Sequence, residues 1–350
     1  MKIFDNVKKA LKGNLPFVVY KTPNSEFLQG FFQEDDSLNF VADYSNSSGF
    51  IYAPFNRSES SILFPEECSR REKESINVGV DFPEDEILIN DSQRDFHVQL
   101  VQKGIDSIKR NEFRKVVLSR KEEVVLTSDL NDLAVLSRLL IKYPTAFVYF
   151  WYHPKIGKWM GATPETLLSV EGKSFKTMSL AGTQVYQKGL APNWSSKEIE
   201  EQYIVTDYIK GKLQPICEEL SVAELETVKI GNLLHLRTLI KGKIDGDIEQ
   251  LIKELHPTPA VCGLPKEITK EFIVREEGYN REFYTGFLGE LNTKEDCKSI
   301  SKLFVNLRCM KINSVRDISV YVGGGITLDS DPGKEWLETV AKSGAMKSVL

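Results

Sequence analysis

The chain has few of the features that mark specialised protein classes. Its 350 residues include only 5 cysteines, an odd number, and no two of them form a C-x-x-C pair. This usage argues against a disulfide framework and against a zinc site built from closely spaced cysteines. It predicts a reduced, intracellular protein, and we therefore expect a cytoplasmic location.

Long apolar runs are also missing. No stretch is long enough to cross a bilayer, and residues 1–5 lack the continuous apolar core of a secretory signal. The formal net charge of -5 argues against nucleic acid as the main partner. We therefore expect no membrane partner and no nucleic-acid partner, and a protein that is a monomer or a weak homodimer.

Several catalytic signatures are absent. The chain contains no P-loop, no H-E-x-x-H and no G-x-S-x-G, and the glycine run at residues 323–325 lacks the G-x-G-x-x-G spacing of a dinucleotide fingerprint. These absences argue against nucleotide hydrolysis, zinc proteolysis and serine hydrolysis. What remains is an ordinary globular composition, with 41% hydrophobic and 27% charged residues and no internal repeat.

Local patterns predict an α+β fold. Short β-like runs, such as 17–20 and 50–52, occupy residues 1–95, and the charged stretch 71–95 indicates a linker or surface excursion. Helices are expected at 97–110 and 197–220. Two more are expected to begin at Asp129 or Asn131 and at Pro332, the latter capped by Ser330 or Asp331. The expected strands are 116–126, 147–152, 167–170, 174–180, 303–312 and 318–322. Because hairpins join most of these strands, an α+β architecture is favoured over a doubly wound sheet.

Two acidic helical stretches lie far apart in the chain. Glu198 and Glu201 are three residues apart in the first, as are Glu335 and Glu338 in the second, so each pair shares one helical face. The second pair flanks Trp336, which the pattern indicates is buried. Desolvated carboxylates repel each other, and a Mg²⁺ ion shared between the helices would compensate them. The alternative is a pair of solvated amphipathic helices.

Two further side chains are candidates for proton transfer. Lys115 opens an apolar strand, where a desolvated ammonium loses its proton more readily and can act as a general base. Glu165 follows Pro164 in a run of small residues, where a confined carboxyl can stay protonated and act as a general acid. The alternatives are a strand-end lysine that reaches water and an ordinary turn glutamate.

Other segments have the character of a binding site. Glycines at the strand ends 180–183 and 322–326 either let the backbone approach a ligand or form sharp turns. Arg308, in a strand with an alternating pattern, would either bind an anion or form a structural ion pair. His235 lies between two leucines, a pattern typical of a hydrogen-bonded core residue.

Residues 256–265 combine one histidine with three prolines and no other charged side chain. Proline restricts both its own backbone and that of the preceding residue, so this loop could form a rigid pocket wall. Cys262 within it is a weak candidate for a nucleophile, because no partner histidine or basic group can be assigned to it from the sequence.

Taken together, these segments resemble the chorismate-utilising enzymes, and most of all the isochorismate synthases. The matching pieces follow the family's order over roughly residues 97–350: residues 115–120, 161–165, 180–183, Glu198 with Glu201, 256–265, 281–286, 307–309, 323–325, and Glu335 with Glu338 and Lys342. The resemblance implies two facing antiparallel β-sheets flanked by helices, as in anthranilate synthase component I. It implies a variable N-terminal part of the same fold at 1–95 and a chorismate-binding catalytic domain at 96–350.

The resemblance also implies roles for individual residues. Lys115 would be the base that activates water, and Glu165 the acid that protonates the departing hydroxyl. Glu201 and Glu338 would hold Mg²⁺ directly, with Glu198 and Glu335 acting through water. The positions assigned to substrate binding are Gly182, Thr183, His235, Tyr284, Arg308, Gly323 and Lys342. The sequence around His235 departs somewhat from the family's usual motif.

Three residues distinguish among related activities. Lys115 favours water as the nucleophile, because relatives that use ammonia usually carry glutamine there. Ala181 excludes attack through a lysine at that position. Ala260 favours release of isochorismate, because salicylate synthases tend to have a hydroxylated residue there. We therefore expect an isomerase that converts chorismate to isochorismate, with salicylate synthase as the alternative, and the product could feed menaquinone or a siderophore. A binding protein that has lost catalysis is disfavoured, because the candidate base, acid and four glutamates are all retained.

Overall fold

The computed structural model describes residues 1–79, 92–244, 246–295 and 298–350. Its helices are α1 (Lys2–Gly13), α2 (Arg94–Lys109), α3 (Asp132–Lys142), α4 (Ser196–Leu213), α5 (Ile248–Leu255), α6 (Lys266–Glu276) and α7 (Pro332–Lys347), with a 3₁₀ turn at Gln214–Ile216. None of the helices in these ranges is long and apolar enough to cross a membrane.

The strands of the described residues are numbered in chain order. They are β1 (Phe17–Lys21), β2 (Phe27–Gln33), β3 (Asn39–Phe40), β4 (Gly49–Ala53), β5 (Ile62–Pro65), β6 (Ser69–Ser75), β7 (Lys115–Val125), β8 (Phe147–His153), β9 (Gly157–Thr163), β10 (Thr166–Glu171), β11 (Ser174–Val185), β12 (Cys217–Val222), β13 (Glu226–Ile230), β14 (Leu233–Ile244), β15 (Gly263–Leu264), β16 (Phe287–Glu295), β17 (Lys298–Val305), β18 (Cys309–Ile312) and β19 (Asp317–Ile326).

These strands form two antiparallel sheets. The first sheet has the order β15-β7-β19-β18-β9-β8-β1-β2-β6, and the second has the order β12-β14-β11-β10-β17-β16-β4-β5-β3, with β13 paired to β14. Residues of the N-terminal part pair into both sheets, through β1 against β8 and β4 against β16. The N-terminal strands are therefore built into the same two-layer unit as the rest of the chain.

Strand alternation explains why the two sheets face each other. In β8, Phe147, Tyr149 and Trp151 point into an aromatic core shared with the second sheet, while Val148 and Phe150 point outward to a core that α1 and α3 cover. Helices α4 and α5 cover the outer face of the second sheet. The expected α+β fold, with two facing antiparallel sheets flanked by helices, is confirmed.

Several boundaries agree with the sequence analysis. The helix expected at 97–110 is α2, and the strand expected at 116–126 is β7. Helix α3 is capped by Asn131, whose side chain accepts from the Ala134 amide at 3.1 Å. Helix α7 begins at Pro332, and Asp331 caps it by accepting from the Lys334 amide at 2.9 Å. In both caps a polar side chain binds an amide that the helix leaves free.

The N-terminal part differs from the sequence analysis in two respects. Residues 2–13 form helix α1, where we expected only short β-like runs. We also expected a linker or surface excursion at 71–95. Residues 71–75 belong instead to strand β6, and α2 begins at Arg94. Residues 80–91 lie outside the described residues. The sequence of strand β6 shows no alternating hydrophobic pattern, because β6 is an edge strand with few buried side chains.

Two later expectations were also wrong. The helix expected at 197–220 ends at Leu213, and residues 217–222 form β12, because Pro215 lacks an amide and disfavours helical geometry before it. The strand expected at 303–312 is two strands, β17 in the second sheet and β18 in the first. Arg308 lies between them with a left-handed backbone, φ 46°, where the chain crosses from one sheet to the other.

Candidate active site

A partly open cavity of about 580 Å³ lies between the two sheets, beside their aromatic core. The second sheet and α4 contribute Gly182, Thr183, His235 and Glu201 to its lining. The first sheet and α7 contribute Gly323, Glu338 and Lys342, and the connections between strands contribute Glu165, Tyr284 and Arg308. Ten of the residues proposed from the sequence thus meet at one place, although they are scattered over 178 positions of the chain.

Glycines on two strands make room for this cavity. The run at 323–325 lies inside β19, and Gly182 lies in β11 with φ 66° beside an irregularity in the strand pairing. Neither run is the sharp turn that was the alternative. A Cβ on Gly325 would lie 2.1 Å from Glu201 Oε1, and a Cβ on Gly324 would lie 3.2 Å from Glu335 Oε2. The missing side chains therefore leave the space that the carboxylates occupy.

Lys115 is fully buried, so it does not reach water as a strand-end lysine would. Its Nζ lies 3.0 Å from Glu201 Oε1. The pair lacks hydrogen-bond geometry, and Nζ has no hydrogen-bond partner among the described residues. The pKa of Glu201 is pulled in opposite directions, because burial raises it while Lys115 and Lys197 lower it, and it ends below its usual value. Lys115 and Glu201 therefore form a buried pair of opposite charges.

Glu165 has the character expected of a general acid. It follows β9 in the first sheet and precedes β10 in the second, and only 3% of its surface is exposed. Burial raises the pKa of Glu165 to about 8, and the positive charges of Lys115 and Arg308 offset only part of that rise. The carboxyl is therefore mostly protonated at neutral pH, unlike an ordinary turn glutamate.

Arg308 is held in place by the residues before it. Asn306 accepts from the Tyr149 hydroxyl at 2.7 Å and donates to the Tyr52 hydroxyl and the Phe283 carbonyl, each at 2.9 Å. The Arg308 guanidinium itself has no ion pair or hydrogen-bond partner in the described part of the chain, so the structural ion pair that was the alternative is not formed. Its cation remains available to an anionic ligand.

Two other polar groups of the cavity wall lie near Gly323. The Lys342 ammonium contacts the Gly323 carbonyl at 3.1 Å and Glu338 Oε1 at 2.5 Å. Tyr284 is buried, and its hydroxyl lies 3.1 Å from the position that a Cβ on Gly323 would take. Backbone, ammonium and phenol groups therefore converge at Gly323.

His235 is a neutral hydrogen-bonding group of the cavity wall. Burial lowers the pKa of His235 to about 3, and the charges of Arg308 and Lys342 act in the same direction. Its Nδ1 lies 2.9 Å from the Gly182 carbonyl, which can only accept, so Nδ1 carries the proton. Nε2 is then an acceptor, and it has no partner among the described residues. The histidine is both buried, as the sequence pattern suggested, and part of the cavity.

The acidic residues on α4 and α7 are not solvated helix faces. Glu335 is 2% exposed, and burial together with the Glu338 carboxylate raises the pKa of Glu335 to about 7. Its Oε1 accepts from Lys197, and its Oε2 has no partner in the described residues. A buried carboxylate oxygen without a partner, beside two other carboxylates, is a suitable ligand for a hard divalent cation. Glu201, Glu335 and Glu338, which form the acidic cluster, thus have the donor chemistry that suits Mg²⁺, although their carboxylates are not gathered into a ready site.

Glu198 is not brought into this cluster. Its carboxylate accepts from the Ser195 amide at 2.9 Å and from the Ser195 hydroxyl, and so it completes a capping box at the start of α4. Within the described ranges, no three histidine, cysteine, aspartate or glutamate side chains form a ready metal-binding group. Lysine ammoniums lie among the carboxylates instead, from Lys115, Lys197 and Lys342.

The loop at 256–265 forms part of the wall, as its proline content suggested. Ala260 and Val261 line the cavity, and the peptide bonds before Pro257 and Pro265 are cis. Cys262 is buried, and burial raises the pKa of its thiol. Among the described residues, its sulfur has hydrogen-bond contacts with the Lys266 carbonyl and the Thr269 hydroxyl, both at 3.7 Å, and neither group can activate it as a nucleophile.

Sequence reasoning gave no role to Lys197, which contacts the acidic cluster, or to Asn306, which anchors the chain before Arg308. The signal for Lys197 was its place immediately before the first acidic pair. Asn306 left no signal of its own, because its partners come from three distant segments.

Comparison with known proteins identifies the family to which this chain belongs. The family model described as "Chorismate binding enzyme" matches residues 66–350. The chain therefore belongs to the chorismate-binding enzymes. That class agrees with a glycine-lined cavity between the sheets whose wall carries the Arg308 and Lys342 cations.

Within this class, the similar proteins include isochorismate synthases. The chain is 28% identical over 261 residues to isochorismate synthase MenF of Escherichia coli, an alignment that covers 72% of this chain and 59% of that protein. It is 34% identical over 199 residues to isochorismate synthase DhbC of Bacillus subtilis, covering 53% of this chain and 49% of the relative. A protein of Pseudomonas aeruginosa named salicylate biosynthesis isochorismate synthase is 29% identical, covering 71% of this chain and 53% of that protein.

Solved structures share the fold over nearly the whole chain. The menaquinone-specific isochorismate synthase MenF from Escherichia coli superposes with a TM-score of 0.76 at 20% identity, covering 96% of this chain and 88% of that one. Anthranilate synthase component I from Streptococcus pneumoniae has a TM-score of 0.67 at 18% identity, covering 95% and 92%. At these identities the likeness establishes the fold, which matches the architecture expected from the sequence.

Proposed function

We propose that this protein is an isochorismate synthase, an isomerase that converts chorismate to isochorismate with Mg²⁺. One observation carries the proposal. A protonated glutamic acid, Glu165, lines the cavity at the crossing to the second sheet, and a buried lysine of the first sheet, Lys115, contacts Glu201 of the cavity wall at 3.0 Å. The relatives named isochorismate synthase support the choice of reaction.

The charges of the cavity suit a small dianion. Chorismate carries two carboxylates, and an acidic protein with a net charge of -5 needs local positive charge to bind it. Arg308 offers an unpaired guanidinium, and Lys342 offers an ammonium beside the Gly323 carbonyl. We assign the two carboxylates of the substrate to these cations, with Tyr284 and the backbone around Gly182 and Gly323 as further contacts.

The acidic cluster would hold the metal. Glu201 and Glu338 line the cavity, and Glu335 presents a buried oxygen without a partner, so we assign these three to Mg²⁺. Glu198 would join through water only after leaving its capping box with Ser195. When bound, Mg²⁺ supplies positive charge that lets a substrate carboxylate approach the glutamates.

The proposed reaction adds one water and releases another. A water molecule attacks C2 of the ring and gives a proton to Lys115, which acts as the base once its ammonium has lost a proton. The ring double bond shifts, the C4–O bond breaks, and Glu165 donates its proton to the departing hydroxyl. Atoms balance, because the water consumed at C2 equals the water released at C4, and the product is an isomer of the substrate.

Product analysis tests this proposal. We expect the purified protein, incubated with chorismate and Mg²⁺, to form isochorismate, and Lys115→Met to lose that activity. Lys121→Met is the matched control, because Lys121 lies on the same strand but forms a surface pair with Glu123 at 2.8 Å. Salicylate with pyruvate would instead indicate a salicylate synthase. Chorismate binding without turnover would indicate a binding protein and would refute the proposal.

A further inference from the structure

The ammonium of Lys197 joins the two acidic helices. Lys197 lies in the first turn of α4, and its Nζ donates to Glu335 Oε1 on α7. The Glu335 side chain is 2% exposed, whereas the lysine side chain keeps 19% exposure. Lys197 is not among the described residues that line the substrate cavity. The pair therefore lies beside the cavity, and the proposed reaction assigns it no role.

Helix stability does not account for the position of Lys197 either. The free amides at a helix N-terminus carry partial positive charge, so a cation in the first turn is disfavoured. Lys212 offers a contrast on the same helix. It lies in the last turn of α4, where positive charge is favoured, and it pairs with Glu254 of α5 at 3.2 Å. Lys197 is held by its partner carboxylate on α7 and not by its own helix.

One ammonium stands against each carboxylate of the cluster. The three pairs are Lys115 with Glu201, Lys342 with Glu338, and Lys197 with Glu335. The first two lysines have roles in the proposed reaction, and Lys197 has none. Its partner oxygen belongs to the same carboxylate whose other oxygen, Glu335 Oε2, lies toward Gly324 without a partner in the described residues.

We propose that Lys197 sets the cation affinity of this acidic cluster by competing with the divalent cation for Glu335. The inference rests on the proposed function, because it requires the cluster to bind a cation. An ion held between Glu335 and Glu338 would share a carboxylate with the Lys197 ammonium, and like charges at such a distance repel. Because its side chain is partly exposed, the ammonium can move out toward solvent. Lys197 therefore keeps the cation-free cluster neutralised and weakens cation binding.

Calorimetric titration of Mg²⁺ alone into the substrate-free protein tests this role. Lys197→Met should bind Mg²⁺ about tenfold more tightly than the wild type, which corresponds to about 1.4 kcal/mol. Lys197→Arg retains the charge and should stay within about twofold of the wild type. Lys212→Met is the matched control, because it breaks a lysine–glutamate pair between α4 and α5, and its Mg²⁺ affinity should not change.

Thermal unfolding supplies a second readout. Without the Lys197 ammonium, the buried Glu335 carboxylate has no positive charge paired with it. Lys197→Met should therefore have a lower melting temperature than the wild type in the absence of metal, and added Mg²⁺ should raise that temperature more than it does for the wild type. If the methionine variant does not fold, Lys197→Gln keeps a hydrogen-bond donor without the charge and gives the same comparison.

The outcomes separate this inference from the proposed function. Equal or weaker Mg²⁺ binding by the methionine and glutamine variants overturns the competition, while isochorismate formation by the wild type would leave the proposed function intact. No measurable binding to any of the proteins overturns both the competition and the metal assignment. Tighter binding by the neutral variants alone supports the competition.

Discussion

The space between the two sheets has two halves that differ sharply. One half is filled by aromatic side chains, among them Tyr52, Trp151 and Phe304, and none of these three is more than 5% exposed. The other half is a cavity of about 580 Å³ lined by glycines, charged groups and one neutral histidine. The same pair of sheets thus forms a dry core at one place and a binding cavity at another.

Strand β19 passes from one half to the other and shows how the difference arises. Tyr321 belongs to the aromatic core, and Gly323 and Gly325 follow it on the same face of the strand. Replacing large rings by glycines opens the space, and the helices α4 and α7 then place carboxylates and ammoniums in it. The comparison teaches that the aromatic half supports the fold and the glycine half allows chemistry.

The largest expected effect falls on the cavity half. Glu165→Gln keeps the shape of the side chain but removes the proton that the departing hydroxyl needs, so turnover should fall by about 10²–10⁴-fold. The measurement is the initial rate of isochorismate formation, with circular dichroism as the check on folding. Wild-type turnover in this variant would exclude Glu165 as the acid.

The aromatic half should show the opposite response. Trp151 is fully buried and stacks on Phe64 with ring centroids 5.3 Å apart, so Trp151→Ala should lower the free energy of unfolding by about 3–5 kcal/mol. Chemical denaturation measures this change. At low temperature the molecules that remain folded should keep turnover close to the wild type. Loss of turnover in folded molecules would show that the two halves are not separable.

Glu165 should also make stability depend on pH. The pKa of Glu165 rises from its usual 4.5 in the unfolded chain to about 8 in the folded protein through burial. Between those values only the folded state holds this proton, so its contribution lowers the free energy of unfolding as pH rises from about 5 to 8. Relative to the wild type, Glu165→Gln should gain about 2–4 kcal/mol over that range, since one unit is worth about 1.4 kcal/mol.

Denaturation of both proteins at pH 5 and pH 8, without metal, measures this difference. The difference between the unfolding free energies of the two proteins cancels the contribution of the other titrating groups, which both proteins share. A difference in unfolding free energy that does not change with pH would mean that Glu165 is already ionised in the folded protein.

The smallest effect should distinguish two neighbouring glycines. A Cβ on Gly325 would meet Glu201 Oε1 at 2.1 Å, whereas a Cβ on Gly324 would meet Glu335 Oε2 at 3.2 Å. Gly325→Ala must displace Glu201 from Lys115, and overpacking of this kind lowers the free energy of unfolding by about 1–3 kcal/mol. Because the carboxylate moves, kcat/KM should fall as well. Gly324→Ala should have a smaller effect on kcat/KM. The reverse order would contradict the placement of these carboxylates.

Elements with a strong local signal could be predicted from the sequence. Helix α7 was located to its first residue because Pro332 and Asp331 both mark a helix start, and β8 was clear from its run of β-branched and aromatic residues. The strand break at 306–308 could not be predicted, because residues 303–312 alternate as one strand would. What breaks it is the anchoring of Asn306 by tyrosines from two other strands.

The candidate site shows the same division. The sequence indicated Lys115, Glu165 and the two acidic pairs as candidate site residues from their residue types and spacing. The structure places all of them except Glu198 around one cavity or its acidic cluster. The capping of α4 by Glu198 and the pairing of Lys197 with Glu335 were not predicted. A glutamate three residues after a serine suits both a cap and a metal ligand, and only the fold selects between them.

The sequence by itself determined which chemical groups the protein has, where most helices and strands begin, and the resemblance to one enzyme family, because propensity, capping and motif spacing are local properties. The tertiary structure alone decided which of those groups meet, how deeply each is buried and which charge faces which. Burial and pairing depend on segments far apart in the chain, and they are what make Glu165 an acid, His235 neutral and Lys197 a competitor for the cation site.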